Sequence, residues 1–365
     1  MPKRAGATLA ALTATAAGAV CLSAGSNGAP AAASSTRGGG VADTAEVVLG
    51  TLTAPPSPRF LARVRRGAMG GVLLLGNGWL TRATAAAVTG ELQAAACTRG
   101  EPLLIAVDQE GGIVRRLAWA PPTQAPAEMS SPADARRQGA GAAAALRSVG
   151  IDVDLAPVAD TPSVADSFLG SRAFSRSRTW NARLTAAFVQ GLQRNGVAAT
   201  AKHFPGLGLA GGNTDDGRIV IDAAAWKLRL GLGPFRSAIR AGAKLVMLST
   251  AIYPQLDPTD RPAAFSPAIA TGLLRRTLGF TGVAVTDSLT APAAEAIPHA
   301  PRQALLAGSD LLVFGAERAS ARAVSALAAD AAGSARLRAR LAQAAGRVRA
   351  LKAWLATHGG PACTS

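Results

Sequence analysis

Short apolar segments alternate with longer segments rich in Ala, Leu and Arg along most of this chain. The apolar runs are continuous rather than alternating, which is typical of strands buried on both faces of a sheet. Eight runs predict strands, at 47–52, 71–76, 103–108, 152–158, 197–203, 244–250, 283–287 and 310–315. Intervening segments predict crossover helices, for example at 81–97, 133–148, 179–195, 226–241 and 265–278.

Eight repeats of strand and helix favour a single-domain α/β protein folded as a (β/α)₈ TIM barrel. A doubly wound open sheet is the competing architecture. Asp108, His203, Thr250 and Asp287 each stand at the C-terminal end of a predicted strand. A barrel builds its active site from many strand ends, whereas an open sheet collects its ligand at one crevice. The positions of these polar residues therefore favour the barrel.

The tail at 317–356 predicts one or two amphipathic helices that close the barrel. Its leucines, Leu337, Leu341 and Leu351, are expected in the core rather than in a partner interface. The barrel domain is placed at 43–356, followed by a C-terminal tail at 357–365.

The first residues have the pattern of an export signal. Lys3 and Arg4 precede a run of small and apolar residues at 5–20, which is shorter than the roughly 20 residues of a membrane span. We predict a signal peptide at 1–21 and a flexible Ala/Gly/Ser/Pro linker at 22–42, and hence a secreted or cell-envelope protein. Cys21 leaves lipid anchoring as the alternative to simple secretion, and a membrane partner is expected only in that case.

The composition is that of a folded, basic protein. Hydrophobic residues make up 49%, and 38 Lys and Arg against 22 Asp and Glu give a net charge of +16. We interpret the scattered arginines as a solvated surface, with affinity for anionic wall polymer as the alternative, and we find no nucleic-acid signature. Cys97 and Cys363 could form a disulfide in an exported chain. With three histidines and no metal-type Cys/His spacing, no metal site or cofactor is expected.

Three strand ends carry candidate chemistry. Asp108 opens a polar DQEGG turn that is followed by Arg116, a combination that can hold sugar hydroxyls by charge-assisted hydrogen bonds. Lys202 and His203 leave a buried strand, where each needs a polar partner. Asp287 also follows a buried strand. The structural alternatives are an acidic turn for Asp108, a salt-bridged core pair for Lys202 and His203, and a helix N-cap for Asp287.

These residues occur in motifs that resemble glycoside hydrolase family 3, in particular its single-domain β-N-acetylglucosaminidases of peptidoglycan turnover. The resemblance covers roughly residues 45 to 355 and preserves the order of the family's motifs. The matching segments are DQEGG at 108–112, APVAD at 156–160, GSRAFS at 170–175, AKHFPGLG at 201–208, YPQLDP at 253–258 and GVAVTDSL at 282–289.

The resemblance implies a TIM barrel and a retaining, exo-acting β-N-acetylhexosaminidase that removes terminal N-acetylglucosamine from wall fragments. Asp287 would be the nucleophile that forms a covalent glycosyl-enzyme. The residues that would hold the bound sugar are Asp108, Arg116, Arg172, Lys202 and His203. A monomer without metal or organic cofactor is expected.

The chain departs from the family pattern on the loop after Lys202. Many members carry an aspartate and, two residues later, a histidine that acts as acid/base. Here Asn213 and Asp215 occupy these positions, so Asp215 becomes the candidate acid, provided that burial or Asp216 raises its pKa. Ser171 and Thr250 replace a family aspartate and a frequent histidine. A catalytically weak sugar-binding relative and a β-glucosidase are therefore kept as alternatives.

One aromatic residue is the candidate for stacking on a sugar ring. Trp119 follows the DQEGG turn, and a role in packing is equally compatible with its position.

Overall fold

The structure is a computed structural model that describes residues 39–76 and 79–363. The predicted signal peptide, Cys21 and residues 22–38 of the predicted linker lie outside the described residues. Helix Gly39–Glu46 begins within the last residues of that linker and leads directly into the first strand.

Seven strands form one parallel sheet in chain order, as the apolar runs predict. Each strand pairs in parallel with the next, starting with Leu49 opposite Gly71. The strands are β1 (Leu49–Leu52), β2 (Gly71–Leu74), β3 (Leu104–Val107), β4 (Val153–Asp154), β5 (Ala198–Phe204), β6 (Leu245–Leu248) and β7 (Val283–Thr286).

An eighth extended segment closes the sheet into a ring. Leu311 bridges in parallel to Val285, and Leu312 bridges in parallel to Val48, just before β1. The backbone N–H of Leu312 donates to Val47 at 2.8 Å, and that of Leu49 donates to Leu312 at 3.0 Å. The closed ring confirms the TIM barrel and rules out the open sheet.

Alternate residues of each strand face the two sides of the barrel wall. Leu73 and Leu104 belong to an apolar cluster inside the ring, whereas Val72 and Ile105 belong to the larger cluster between the ring and the helices. Both sides of the wall are therefore buried, which explains why the strands appear as continuous apolar runs.

The fourth strand is shorter than predicted because of Pro157. The ladder between β4 and β5 covers Val153 and Asp154 and resumes as an isolated bridge between Val158 and Lys202. Proline has no backbone N–H to donate, so it interrupts the pairing between these two points.

The crossover helices follow the predicted pattern with two differences. The predicted helix at 226–241 is divided at Gly231 and Leu232, because Pro234 cannot continue the hydrogen bonding of the preceding helix. The segment predicted at 265–278 is a π-helix, Ala268–Thr277. The remaining helices are Pro58–Arg65, Arg82–Cys97, Pro132–Arg147, Arg178–Arg194, Ala225–Leu230, Gly233–Arg240, Pro292–Glu295, Ala300–Ala307, Glu317–Ala332 and Ala335–Thr357, with 3₁₀ turns at Pro126–Glu128, Gly170–Arg172 and Ala263–Phe265.

The last two helices close the barrel, as predicted for the tail. Leu337 and Leu341 are buried in the outer cluster, and Leu351 packs against the cluster inside the ring. A disulfide joins Cys97 to Cys363, with their Cα atoms 5.2 Å apart. The bond fixes the end of the chain to the helix that precedes β3.

Within the described ranges, no helix is both long and apolar enough to cross a bilayer. The same part of the chain contains no group of three or more His, Cys, Asp or Glu side chains arranged to hold a metal ion.

A buried ionic cluster anchors the closing segment. Asp310 is fully buried and accepts a hydrogen bond from the backbone N–H of Ala284 in β7. Its carboxylate also contacts the guanidinium groups of Arg275, Arg340 and Arg347. Two of these arginines come from the last helix, so one carboxylate connects the eighth segment, β7 and the tail.

We expect Asp310→Asn to lower the free energy of unfolding by about 3 to 5 kcal/mol, because it removes the buried carboxylate that balances three partly buried guanidinium charges. Urea unfolding followed by circular dichroism measures this loss. Asp260→Asn is the matched control, since its pair with Arg218 is exposed, and it should cost no more than about 1 kcal/mol. Equal losses in the two variants would contradict a special role for Asp310.

Candidate active site

A cavity of about 330 Å³ lies at the C-terminal ends of the barrel strands. The chain brings all seven predicted site residues to its wall, although they are spread over 180 positions of sequence. They are Asp108, Arg116, Arg172, Lys202, His203, Asp215 and Asp287. The wall is completed by apolar residues from the strand ends, including Leu73, Met247 and Val313.

The DQEGG turn is held in place by its own buried glutamine. The Gln109 side chain donates to the carbonyl oxygens of Leu117, Ala120 and Pro121 and accepts from the N–H of Leu117. Gly111 adopts φ +104°, and a Cβ there would lie 2.4 Å from the carbonyl oxygen of Gln124. The sequence thus folds back on itself and points Asp108 and Glu110 into the cavity.

The lysine that leaves β5 is buried between two carboxylates of this turn. Lys202 is 3% exposed, and its Nζ donates to Asp108 Oδ1 at 2.6 Å and lies 2.7 Å from Glu110 Oε1. Arg172 donates to Glu110 through Nε and Nη2, both at 2.8 Å. These four side chains form one polar floor, which we call the ionic floor.

Burial and ion pairing act in opposite directions on the pKa values of Glu110 and Lys202 in the ionic floor. Burial raises the pKa of Glu110, but Lys202 and Arg172 outweigh burial and lower it to about 2. Burial lowers the pKa of Lys202, but Asp108 and Glu110 outweigh burial and raise it above its ordinary value. Glu110 and Lys202 are therefore both charged at neutral pH, and their pairing fixes their orientations before a ligand arrives.

His203 is oriented by a buried aspartate. Its Nδ1 lies 2.7 Å from Asp160 Oδ2, and its backbone N–H donates to the same oxygen at 3.1 Å. Asp160 Oδ1 accepts the N–H of Leu207 at 2.7 Å, which ties down the start of the following loop. With Nδ1 occupied, Nε2 is the ring nitrogen that remains for a ligand.

Asp287 follows β7 and is half-buried at the cavity wall. Its Oδ1 accepts the backbone N–H of Ser288 at 2.8 Å, and it has no ion-pair partner among the described residues. Burial raises its pKa, His203 and Lys202 lower it, and the negative charge of Asp215 raises it further, with a net upward shift. The helix N-cap alternative is wrong, because the next helix starts at Pro292.

Asp215 lies on the loop after β5 and lines the same cavity. Its backbone N–H donates to Asn213 Oδ1 at 3.2 Å, and its side chain is exposed. The burial that an acid role requires is therefore absent from this structure, although the carboxyl group is within electrostatic reach of Asp287.

Arg116 contributes a guanidinium group whose hydrogen-bonding capacity is only partly used within the protein. It lines the cavity, and its buried Nε has no hydrogen-bond partner. An unpaired buried donor is costly unless a ligand or water satisfies it. Arg116 is consequently the donor in this wall best placed to gain from ligand binding.

The aromatic side chains of the cavity differ from the one considered from the sequence. Trp119 is outside the lining, packs on the core and has the Arg82 guanidinium 4.9 Å from its ring centre, so its role is in packing. Phe168 and Phe314 line the cavity instead. Phe168 lies in a loop and Phe314 at a strand end, and neither occurs in a sequence motif that would have marked it as a site residue.

Two further functional carboxylates were missed by the sequence reasoning. Glu110 stands two residues after Asp108 in a quoted motif, and Asp160 ends another quoted motif, so both carried a signal in their motif positions. Their roles depend on Lys202 and His203, which lie far away in sequence and approach only in the folded barrel.

The sequence model of one protein family, described as "Glycosyl hydrolase family 3 N terminal domain", matches residues 50–351. The matched region contains the whole cavity wall described above and more than half of the chain.

The chain belongs to glycosyl hydrolase family 3.

Individual relatives of this family are similar over most of the barrel. A beta-hexosaminidase of Nitrosomonas eutropha is 35% identical over 264 residues, which cover 67% of this chain and 73% of the relative. The crystal structure of a β-N-acetylhexosaminidase from Beutenbergia cavernae has a TM-score of 0.75 at 34% identity, covering 86% of this chain and 98% of that protein. A family 3 β-N-acetylglucosaminidase from Paenibacillus has a TM-score of 0.80 at 31% identity; the match covers 89% of this chain but 64% of that longer chain.

Acid should weaken the ionic floor of this family 3 member through Glu110. Because its folded pKa of about 2 is below its ordinary value of 4.5, its stabilising contribution is present above pH 4.5 and is lost as the pH falls towards 2. Between pH 6 and pH 3 we expect wild type to lose about 2 kcal/mol through this carboxyl, a loss that Glu110→Gln lacks.

The measurement is the free energy of unfolding of both proteins at the two pH values. The difference in free energy of unfolding between wild type and Glu110→Gln should be about 2 kcal/mol smaller at pH 3 than at pH 6. Glu295→Gln, at an exposed position without an ion pair among the described residues, should differ from wild type equally at both pH values. A pH-independent difference for Glu110→Gln would refute the paired state of Glu110.

Proposed function

We propose that this chain is a retaining, exo-acting β-N-acetylhexosaminidase that removes terminal N-acetylglucosamine from cell-wall fragments. The observation that carries the proposal is the distribution of charge in the cavity. Asp108 and Glu110 are neutralised by Lys202 and Arg172, whereas Asp287 faces the same cavity without an ion-pair partner among the described residues. A single uncompensated, half-buried carboxylate is the arrangement that a nucleophile requires.

The reaction divides into two steps at Asp287. Its carboxylate attacks the anomeric carbon and forms a glycosyl-enzyme ester, while the glycosidic bond breaks and the leaving oxygen takes a proton from Asp215. Asp215, now a carboxylate, then removes a proton from a water molecule that attacks the same carbon. The ester bond to Asp287 breaks, and two inversions return the original configuration.

Asp215 lies on the loop after β5, so movement of this loop over the bound sugar would supply the burial that the acid role requires. Burial disfavours the ionised carboxyl and raises its pKa towards the working pH.

The ionic floor and His203 hold the sugar rather than react with it. Asp108, Lys202 and Arg172 offer charge-assisted hydrogen bonds to hydroxyl groups, and His203 offers Nε2. Arg116 adds a donor on the remaining side. Since these groups are fixed by one another before binding, they lose little entropy when the transition state forms.

Two observations and one expectation from the sequence support the choice of substrate. The three relatives described above carry the names beta-hexosaminidase, β-N-acetylhexosaminidase and β-N-acetylglucosaminidase. The cavity of about 330 Å³ is near the lower limit for small-molecule sites, which favours one terminal sugar over an internal chain segment. An export signal, expected at residues 1–21, would bring the protein to wall material.

We also propose that the protein works outside the cytoplasm. The disulfide between Cys97 and Cys363 supports this location, because such bonds persist in oxidising compartments. Secretion and anchoring through Cys21 both agree with the disulfide.

Turnover of 4-nitrophenyl β-N-acetylglucosaminide, with the β-glucoside as the comparison substrate, tests the proposal. We expect wild type to cleave the acetylated sugar, and Asp287→Asn to lose at least about 1,000-fold in kcat, because the neutral amide cannot form the ester. Ser288→Ala, which alters the neighbouring cavity residue, is the matched control and should retain most activity.

The alternatives give different results in the same assay. Preference for the β-glucoside would identify a β-glucosidase. No turnover of either substrate by folded wild type, with retained binding of N-acetylglucosamine, would establish the sugar-binding relative.

The role of Asp215 is tested by varying the leaving group. Asp215→Asn should slow hydrolysis of a chitobiose-type substrate, whose leaving oxygen needs a proton, by about 100-fold or more, and 4-nitrophenol release much less. Asp216→Asn is the matched control on the same loop. Equal losses on both substrates in Asp215→Asn would remove it from the acid role.

A further inference from the structure

A second groove lies on the flank of the barrel, between helices Arg178–Arg194 and Gly233–Arg240. Its volume is about 540 Å³, larger than that of the catalytic cavity. Four arginines line it, two from each helix: Arg178, Arg183, Arg236 and Arg240. We call this feature the arginine groove.

The positive charge of the arginine groove is uncompensated. All four arginine side chains are exposed, and none forms an ion pair with a carboxylate of a described residue. The two helices, and the intervening helix Ala225–Leu230, contain no Asp or Glu at all. Some exposed arginines elsewhere are paired, for example Arg218 with Asp260 at 2.7 Å, and others, such as Arg318, are unpaired but do not line this groove.

The charges are spaced along the groove rather than collected at one point. From the helical rise, Arg236 and Arg240 are about 6 Å apart along the axis, and Arg178 and Arg183 about 7.5 Å. Like charges at this spacing repel one another and reduce stability. An anionic ligand with repeated charges would remove that repulsion, whereas one small anion would neutralise only part of the row.

One end of the arginine groove lies beside the loop of the catalytic cavity. Arg178 also lines a small neighbouring cavity together with Pro205, Gly206 and Lys227. Pro205 and Gly206 directly follow Lys202, His203 and Phe204 in the chain. A polymer held in the groove would therefore pass close to the mouth of the barrel.

We propose that the arginine groove binds an anionic wall polymer, built from polyol or sugar units joined by phosphodiesters. Guanidinium groups bind phosphate oxygens through two parallel hydrogen bonds, and a phosphodiester carries one charge per repeat at every relevant pH. Binding would hold the enzyme on wall material and raise the local concentration of glycan ends. This role rests on the proposed function, but it concerns a separate surface with its own measurement.

The lining of the arginine groove argues against single-stranded nucleic acid as its occupant. None of its lining residues is aromatic, whereas proteins that bind single strands stack bases on aromatic rings.

The test uses co-sedimentation of the full chain with purified cell walls that carry poly(glycerol phosphate). The same walls after removal of the phosphodiester polymer with hydrogen fluoride are the second probe.

The groove variant combines Arg183→Gln, Arg236→Gln and Arg240→Gln. The control variant combines Arg318→Gln, Arg322→Gln and Arg336→Gln, which are exposed and unpaired positions on the last two helices. Both variants lower the formal net charge from +16 to +13.

We expect the groove variant to bind the untreated walls at least about tenfold more weakly than wild type, and the control variant to bind within about twofold of wild type. The slope of log affinity against log salt concentration should fall by about 2 in the groove variant, if it loses three phosphate contacts of a flexible polyanion. Wild type should lose its binding when the walls are treated. Hydrolysis of the 4-nitrophenyl substrate should be unchanged in both variants, which separates this result from failure of the proposed function.

Three results would overturn the proposal. Equal loss in both variants would show an effect of net charge alone. Undiminished binding to treated walls would assign the affinity to carboxylates of the remaining wall. Tighter binding of single-stranded DNA than of soluble poly(glycerol phosphate), again lost in the groove variant, would assign the groove to nucleic acid.

Discussion

Closure of the parallel sheet into a ring determines where the functional side chains of this protein lie. The eighth segment is paired through isolated bridges, and it contacts β7 on one side and the start of β1 on the other. Asp310 secures this segment by accepting a backbone hydrogen bond from β7 and contacting three arginines. Without that closure the strand ends would not converge, and Asp108, Lys202 and Asp287 would not share one cavity wall.

The chemistry of the cavity follows from how its charges are satisfied. A lysine buried as deeply as Lys202 requires counter-charges, and the DQEGG turn supplies two of them. Together with Arg172, these pairs neutralise Asp108 and Glu110 and leave Asp287 without an ion-pair partner among the described residues. The same pairs fix the binding groups, so the site combines a preorganised floor with one half-buried, unpaired carboxylate, that of Asp287. Family 3 membership and the geometry thus support one another through different observations.

Basic residues of this chain occur in two different structural settings. At the catalytic cavity, Lys202 and Arg172 are matched by carboxylates and are buried. On the barrel flank, the arginine groove is exposed and unmatched, which is the condition for attracting a polyanion from solution. The net charge of +16 does not distinguish these situations, because it counts paired and unpaired arginines alike.

The sequence by itself determined the barrel class, the strand positions to within a few residues and, through the motifs that resemble family 3, seven of the residues that line the cavity. Strands buried on both faces must be continuously apolar, and polar residues at their ends must then face the barrel mouth. Only the tertiary structure decided that Glu110 and Asp160 hold Lys202 and His203, that Trp119 packs away from the cavity, that Asp215 is exposed and that Cys97 meets Cys363. Each of these outcomes depends on the distance between segments far apart in the chain, which local periodicity does not encode.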